Sequence, residues 1–296
     1  MRRVKTLLGT YAHTEPLKNG TVTPRSLEFE FIERSPVNTG FDAMIQRQAF
    51  EVSELPIGAL FQAVAGGSPI RLLPVVVLGD FHHASLVYDS GRGLITPADL
   101  KGARVAVRSF SQTTGMWVRA ILSEEHGLRV GDVTWVVTEP SHVAGFQDPG
   151  NVELAPAGET VASLLAGGAV DAAIMFVGRP GEPIRPVIPD PAAAAREWRA
   201  RHGFVPINHM VAVSGALAAD PAAVSDLLQA FTRAGQLAPA RPEGTVPEMA
   251  AALKYAIDAA VRQGLIPAPL EVPELFAAGI EVEPVRAGEV RDGTRR

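Results

Sequence analysis

The chain has 296 residues, of which 47% are hydrophobic, enough apolar material for one or two sizeable cores. Its net charge of -5, with acidic and basic residues interspersed, offers no face for nucleic acid. With no cysteine anywhere, disulfides, thiolate metal sites and cysteine nucleophiles are excluded together.

Residues 4–11 read as a first strand, and residues 27–32, LEFEFI, alternate at period two and read as a second. The basic start Met1-Arg2-Arg3 is followed by an apolar run too short for an export signal and by no small-residue cleavage site. No run approaches the roughly 18 apolar residues of a membrane span. A cytoplasmic protein without a membrane partner is therefore expected. Residues 41–47 have helical spacing, residues 50–53 form a short strand with Glu54 following its end, and residues 57–65 form a helix stopped by Gly66-Gly67. In residues 74–88, PVVVLGDFHHASLVY, two apolar runs flank His82-His83. Each run predicts a buried strand, so the histidines sit where one strand ends and the next begins. Strand ends are where open α/β sheets place ligand sites.

Beyond Tyr88, Thr96 reads as an N-cap before Pro97. Residues 104–107, 133–137 and 172–176 read as strands, and residues 115–126 and 160–166 as helices. Residues 138–151 are irregular, and the proline-rich stretch 180–191 predicts a surface connection. Helices follow at 192–202, 221–237 and 246–263, with a strand at 207–213; the last residues of the tail are expected to be disordered. Strands alternating with helices predict mainly parallel sheets.

Several phrases resemble the 4,5-dihydroxyphthalate decarboxylase-like family: Tyr11-Ala12-His13-Thr14, Phe50 to Leu55, Phe81-His82-His83-Ala84-Ser85, Pro97 to Gly102, Trp117 to Leu122 and Pro206-Ile207-Asn208-His209. The resemblance implies an α/β, two-lobed, type II periplasmic-binding-protein-like fold with a central cleft. Residues 1–92 and 208–296 would form a discontinuous first lobe and residues 93–207 the second. The chain departs from the family pattern in carrying His82 where arginine is usual, and Ala12-His13 where Asp-Arg is usual. The loop Phe110 to Thr114 lacks the usual tyrosine, and Glu139-Pro140-Ser141-His142 replaces an acidic, arginine-bearing loop. A dianionic phthalate favours guanidinium or ammonium partners, so these departures open the way to an altered substrate.

The candidate acids and bases are His83, His82, His209 and Glu54. Adjacent strand residues point to opposite faces, so one of His82 and His83 is expected in the cleft, and His83 matches the family's histidine. His209 precedes an apolar strand where a connection between lobes would border the cleft. Glu54 would orient a histidine or bind a phenol. His13, Arg108 and the loop Ser109, Ser111, Gln112, Thr113 and Thr114, which opens a helix, are the candidate carboxylate-binding groups. Each has a structural alternative, such as N-capping by Thr113 or Thr114, or solvent exposure of Arg108.

No histidine spacing supports a metal site, and no nucleophile elbow, Walker loop or dinucleotide fingerprint is present. The resemblance implies a decarboxylase of a hydroxylated aromatic acid, such as 4,5-dihydroxyphthalate, without a cofactor. The alternative is a non-catalytic protein of the same fold that binds a small aromatic or other carboxylate. A homo-oligomeric state is compatible with either. A pyrimidine-precursor synthase, whose family uses a cysteine-rich motif, fits poorly with a cysteine-free chain.

Overall fold

The two apolar runs around His82-His83 do become strands, but they join different sheets. The computed structural model describes residues 1–176, 181–238 and 246–282. In chain order, β1 (Arg2–Leu7), a short α1 (Glu15–Lys18), β2 (Leu27–Phe31), α2 (Phe41–Arg47), β3 (Val52–Pro56), α3 (Ile57–Ala65) and β4 (Arg71–Gly79) come first. The chain then crosses over into β5 (Leu86–Asp89), β6 (Arg104–Val107), α4 (Thr113–His126), β7 (Thr134–Val137), β8 (Val152–Leu154), α5 (Val161–Gly167), β9 (Ala172–Ile174), β10 (Ile184–Pro186) and α6 (Pro191–His202). It returns through β11 (Ile207–Val213) and ends in α7 (Gly215–Ala218), α8 (Pro221–Leu237) and α9 (Val246–Arg262).

The first sheet has the order β2-β1-β3-β11-β4, and the second β10-β5-β9-β6-β7-β8. Pairing is parallel among β1, β2 and β3 and among β6, β7, β8 and β9. The strands next to the crossings, β4, β5 and β11, pair antiparallel with their neighbours. Both sheets are therefore mixed. The two crossing segments run side by side, tied by the Asp80 N–H to the Pro206 carbonyl at 3.0 Å.

Apolar patterning explains where β5 goes. Leu86 and Tyr88 enter the large central core, while Val87 packs with Leu164 and Leu165 of α5 on the other face. A strand apolar on both faces needs both covered, and the second sheet provides that. The expectation that residues up to 92 belong to the first lobe is corrected here, because the change of sheet falls between Gly79 and Leu86. Glu54 lies within β3 rather than beyond its end. The stretch expected to be a surface connection holds β10, an edge strand, where Pro186 costs no ladder bond on the open side. The end of the tail lies outside the described residues.

Helix α8 covers the outer face of the first sheet, and α5 the outer face of the second. Helices α3, α4 and α9 pack against one another between the sheets, so one apolar core runs through both lobes. Trp117 of α4 donates its indole N–H to the Ile207 carbonyl at 2.8 Å, joining this layer to the return crossing. Among the described residues, no helix is long and apolar enough to cross a membrane.

Candidate functional site

Glu54 is a fully buried carboxylate of the first lobe. In the antiparallel ladder it faces Val211, so its side chain emerges on the same face as that of His209, two residues away. The Glu54 side chain is fully buried and accepts three hydrogen bonds: His209 Nδ1 at 2.6 Å, the Tyr11 hydroxyl at 2.8 Å and the Gly9 N–H at 3.0 Å. Burial alone would raise its pKa. The hydrogen bond and charge of His209, with the bonds from Gly9 and Tyr11, outweigh that and hold the carboxyl below its ordinary range. Burial and the same carboxylate push the Tyr11 phenol well above the usual tyrosine value.

The loop after β1 is built for this contact. A Cβ on Gly9 would fall 2.5 Å from the Tyr11 hydroxyl oxygen, so only glycine lets the ring lie there. Thr14 is buried and ties the loop, accepting from the Tyr11 N–H at 2.9 Å and donating to the Gly9 carbonyl at 2.8 Å. The imidazole of His13 stacks on the Tyr11 ring with centroids 5.6 Å apart. Desolvation lowers the His13 pKa, partly offset by Glu54 and by a hydrogen bond to the Val77 backbone. Its Nε2 is buried without a partner.

The paired histidines part company at the crossover. His82 is buried beside His209, with Nε2 unpartnered. Desolvation, helped by the neighbouring imidazoles His83 and His209, pushes its pKa down to about 3. It borders a cleft of ≈ 320 Å³ with Phe81, Ser85, Thr114, Phe176 and Asn208. His83, favoured from the sequence, turns the other way. Its Nε2 lies 3.5 Å from Glu125 Oε2, and its ring packs edge-on against Trp198 at 5.8 Å. The two histidines lie in the turn between β4 and β5, not in a strand, so this turn rather than strand alternation separates them, and it is His82 that lines the cleft.

The second lobe meets this face with the loop before α4. Thr113 does not cap its helix; its Oγ1 accepts from the Gly58 N–H at 3.0 Å, across the lobes. A Cβ on Gly58 would sit 3.0 Å from the Ser111 carbonyl, so a glycine permits the approach. Thr114 likewise leaves its helix uncapped and accepts from Asn208 Nδ2 at 3.3 Å. Ser109 and Ser111 turn inward, their hydroxyls 3.1 Å apart, and the chain continues through Ser141 to Gln62 of α3. Gln112 Oε1, Gln62 Nε2 and Asn208 Oδ1 are buried and unpartnered. The His142 Nδ1 atom bonds Asp42 of α2, and its carbonyl accepts from Gln46 at 3.4 Å, so this loop also bridges the lobes.

Of the residues singled out from the sequence, the structure gathers Glu54, His209, His82 and His13 on one side, with Thr113 and Thr114 facing them from the α4 terminus. Ser109, Ser111 and Gln112 lie behind these threonines. Arg108 stands apart: its guanidinium pairs with Glu139 at 3.2 Å near the surface. His83 is separated by the crossover. Tyr11, Asn208, Ser141, His142 and Gln62 were not singled out. Tyr11 and Asn208 stood in family-resembling phrases without a role, and Gly9 two residues before Tyr11 was a further signal, while the roles of the others depend on long-range contacts. Arg119 is a further omission, fully buried, donating to the Phe110 carbonyl and to Gln263 Oε1, both at 2.7 Å. It braces the loop from beneath. Among the described residues no three His, Asp or Glu side chains converge as a metal-binding group.

No protein-family model matches the chain. It is 30% identical over 230 residues to a 4,5-dihydroxyphthalate decarboxylase of Comamonas testosteroni, a match covering 71% of this chain and 68% of that protein. It is 31% identical over 212 residues to the 4,5-dihydroxyphthalate decarboxylase of Pseudomonas putida, covering 64% and 79%. Among solved structures, the desulfurization enzyme DSZB superposes with a TM-score of 0.57 at 16% identity, covering 94% of this chain and 96% of that one. The periplasmic aliphatic sulphonate binding protein SsuA of Escherichia coli gives 0.53 at 13%, covering 100% and 97%. The likeness to these two solved structures concerns the fold alone, which is the two-lobed type II periplasmic-binding-protein fold. The kinship with the two decarboxylases goes further, and on it the chain belongs to the 4,5-dihydroxyphthalate decarboxylase family.

Proposed function

We propose that the protein decarboxylates a hydroxylated aromatic acid, 4,5-dihydroxyphthalate or a near relative, using side chains alone. The observation that carries this reading is the buried Glu54 clamping His209 and Tyr11, beside two buried imidazole nitrogens, His82 Nε2 and His13 Nε2, without protein partners. His82 lines the cleft, where a buried polar atom left unpaired awaits a ligand.

The chemistry needs a base for a phenol, an acid for a ring carbon and a holder for the departing carboxylate. Glu54 fixes His209 through Nδ1, leaving Nε2 to take the phenol proton; the carboxylate then offsets the imidazolium charge. Electron density from the phenolate reaches the para ring carbon, which forms a bond to a proton delivered from His82. The bond from that carbon to the carboxylate then breaks, carbon dioxide leaves, and its electron pair restores the aromatic ring. His209 returns the phenol proton, so one proton is consumed in each turnover.

His82 is neutral in the ligand-free site because burial opposes its charge. A dianionic ligand beside it favours protonation, so the acid is created as the substrate binds. In this reading the N–H groups at the start of α4, with Thr114 and Asn208, hold the carboxylate. His13 and Tyr11 border the phenol side.

The test is ultraviolet monitoring of 4,5-dihydroxyphthalate with carbon dioxide release measured in parallel and no cofactor added. Formation of 3,4-dihydroxybenzoate with equal carbon dioxide is expected. Saturable binding without turnover would replace this reading with that of a carboxylate-binding protein.

A further inference from the structure

Phe176 is 92% exposed and is the only phenylalanine among the described residues that is not at least partly buried. It follows β9 at the cleft side of the second sheet, where it lines the ≈ 320 Å³ cleft beside His82. Single exposed apolar side chains are ordinary on a surface, and what sets Phe176 apart is that it lines the cleft.

The other wall carries a second ring. Phe81, half-buried on the first crossing segment, lines the same cleft. It is held in place by its N–H bonding Asp80 Oδ1 at 2.7 Å and by its ring lying 6.4 Å from that of His83. One aromatic wall is therefore fixed and the other free, with Leu78 and Ala84 adding apolar surface. The polar groups sit around the edge: His82 Nε2 and Asn208 Oδ1, both buried and unpartnered, with Ser85 and Thr114. A cleft with apolar faces and a polar rim suits a flat ring carrying polar substituents, and its size is in the range of small-ligand sites.

We propose that Phe81 and Phe176 clamp the faces of a planar aromatic ring, and that Phe176 is the residue selecting aromatic over saturated ring acids. This rests on the aromatic-acid reading above and names how that ring is recognised. Aromatic faces attract one another beyond simple burial in offset or edge-on geometries, whereas a puckered saturated ring cannot present the same face.

The test uses the full chain and its Phe176→Ala and Phe176→Tyr variants. Binding of phthalate and of cis-cyclohexane-1,2-dicarboxylate is measured by calorimetry, with carbon dioxide release from 4,5-dihydroxyphthalate followed separately. The parent protein should prefer phthalate. Phe176→Ala should weaken phthalate by about 2- to 10-fold and leave the saturated diacid within about twofold, and Phe176→Tyr should restore the preference. Equal affinity of the parent protein for both acids, or an unchanged preference in Phe176→Ala, overturns the clamp whatever happens to carbon dioxide release. A Phe176-dependent preference without carbon dioxide release upholds the clamp and overturns the decarboxylase.

Discussion

Two carboxylates in this molecule gather the same partners, and only one of them has an imidazole beside its own that lines the cleft, His82 next to His209. Glu54 holds an imidazole, His209, and a phenol, Tyr11. Glu124, at the end of α4, also holds an imidazole, His202 at 2.8 Å, and a phenol, Tyr255 at 2.6 Å. The surroundings differ. Arg201 bonds Glu124 and Glu125, each at 3.0 Å, so a fixed cation offsets part of the carboxylate charge. The rings there pack on one another, Trp198 on His202 at 4.1 Å and Trp117 stacked on Tyr255 at 5.7 Å. His83 and Trp198 Nε1 also lack close hydrogen-bond partners, but aromatic rings enclose them. Around Glu54 the partners are neutral donors and an imidazole, and the neighbouring unpartnered His82 Nε2 belongs to a residue that lines the cleft. A carboxylate, an imidazole and a phenol make a stable corner or a candidate reactive one according to charge balance and access.

The largest effect expected from this contrast is on turnover. Glu54→Gln or His209→Ala should cut carbon dioxide release by about 10²- to 10⁴-fold, the usual contribution of a positioned acid–base group, while 4,5-dihydroxyphthalate still binds. His202→Ala should leave release within about threefold. Comparable losses at both corners would erase the distinction.

The sequence reveals one of these corners more readily than the other. Strands and helices were legible where periodicity is strong: α2, α3, β11 and α8 fall on their expected residues because each has an apolar face with nothing to contradict it. His209 and Glu54 were legible as candidates at strand ends, although both lie within strands. Their direct contact was not, since it depends on the β3–β11 register across a separation of 155 residues. His83 illustrates the limit of pattern reading. Alternation says that one of two adjacent histidines faces the cleft, but which one depends on where the crossover turns. The Ser85 N–H to His82 carbonyl bond at 3.0 Å sets that turn, and a chain without coordinates does not display it. Arg119 was hidden for a similar reason, because a helical arginine reads as solvent-exposed until Phe110 and Trp135 close over it.

Acid should expose the next difference. An unfolded histidine titrates near 6.5, whereas His82 in the native state does so at about 3. Between those values the unfolded chain binds the proton and the native chain does not. His82 therefore subtracts stability as the pH falls from about 6.5 towards 3, amounting to about 2–3 kcal/mol at pH 4.5. Glu54 and Glu124, both held below the ordinary carboxylate range, contribute stability that is lost only at lower pH. Urea unfolding at pH 7 and pH 4.5 should show a smaller acid loss in His82→Gln by that amount. An unchanged acid loss would mean that the ring is not desolvated as the structure has it.

At the packed corner, Glu124→Gln keeps the shape but removes the charge facing Arg201 and His202. The expected cost is about 1–3 kcal/mol of unfolding free energy with little change in turnover, measured by urea unfolding beside carbon dioxide release. A loss of turnover out of proportion to the loss of folded protein would bring this corner into the chemistry.

The smallest effect should come from the contact that joins the lobes near Glu54. Asp42 pairs with His142, and the loop carrying His142 also reaches Gln62 through Ser141. Asp42 is 57% exposed, and pairs so open to water contribute at most about 1 kcal/mol. Asp42→Ala should therefore raise the ligand dissociation constant no more than about fivefold, with turnover at saturation nearly unchanged. Its unfolding midpoint should stay close to that of the parent, because the aromatic packing around Glu124 does not depend on how firmly the cleft closes. A full-sized loss of turnover at saturating ligand would show instead that closure sets the geometry of His209 and His82. The two corners would then differ by motion as well as by charge.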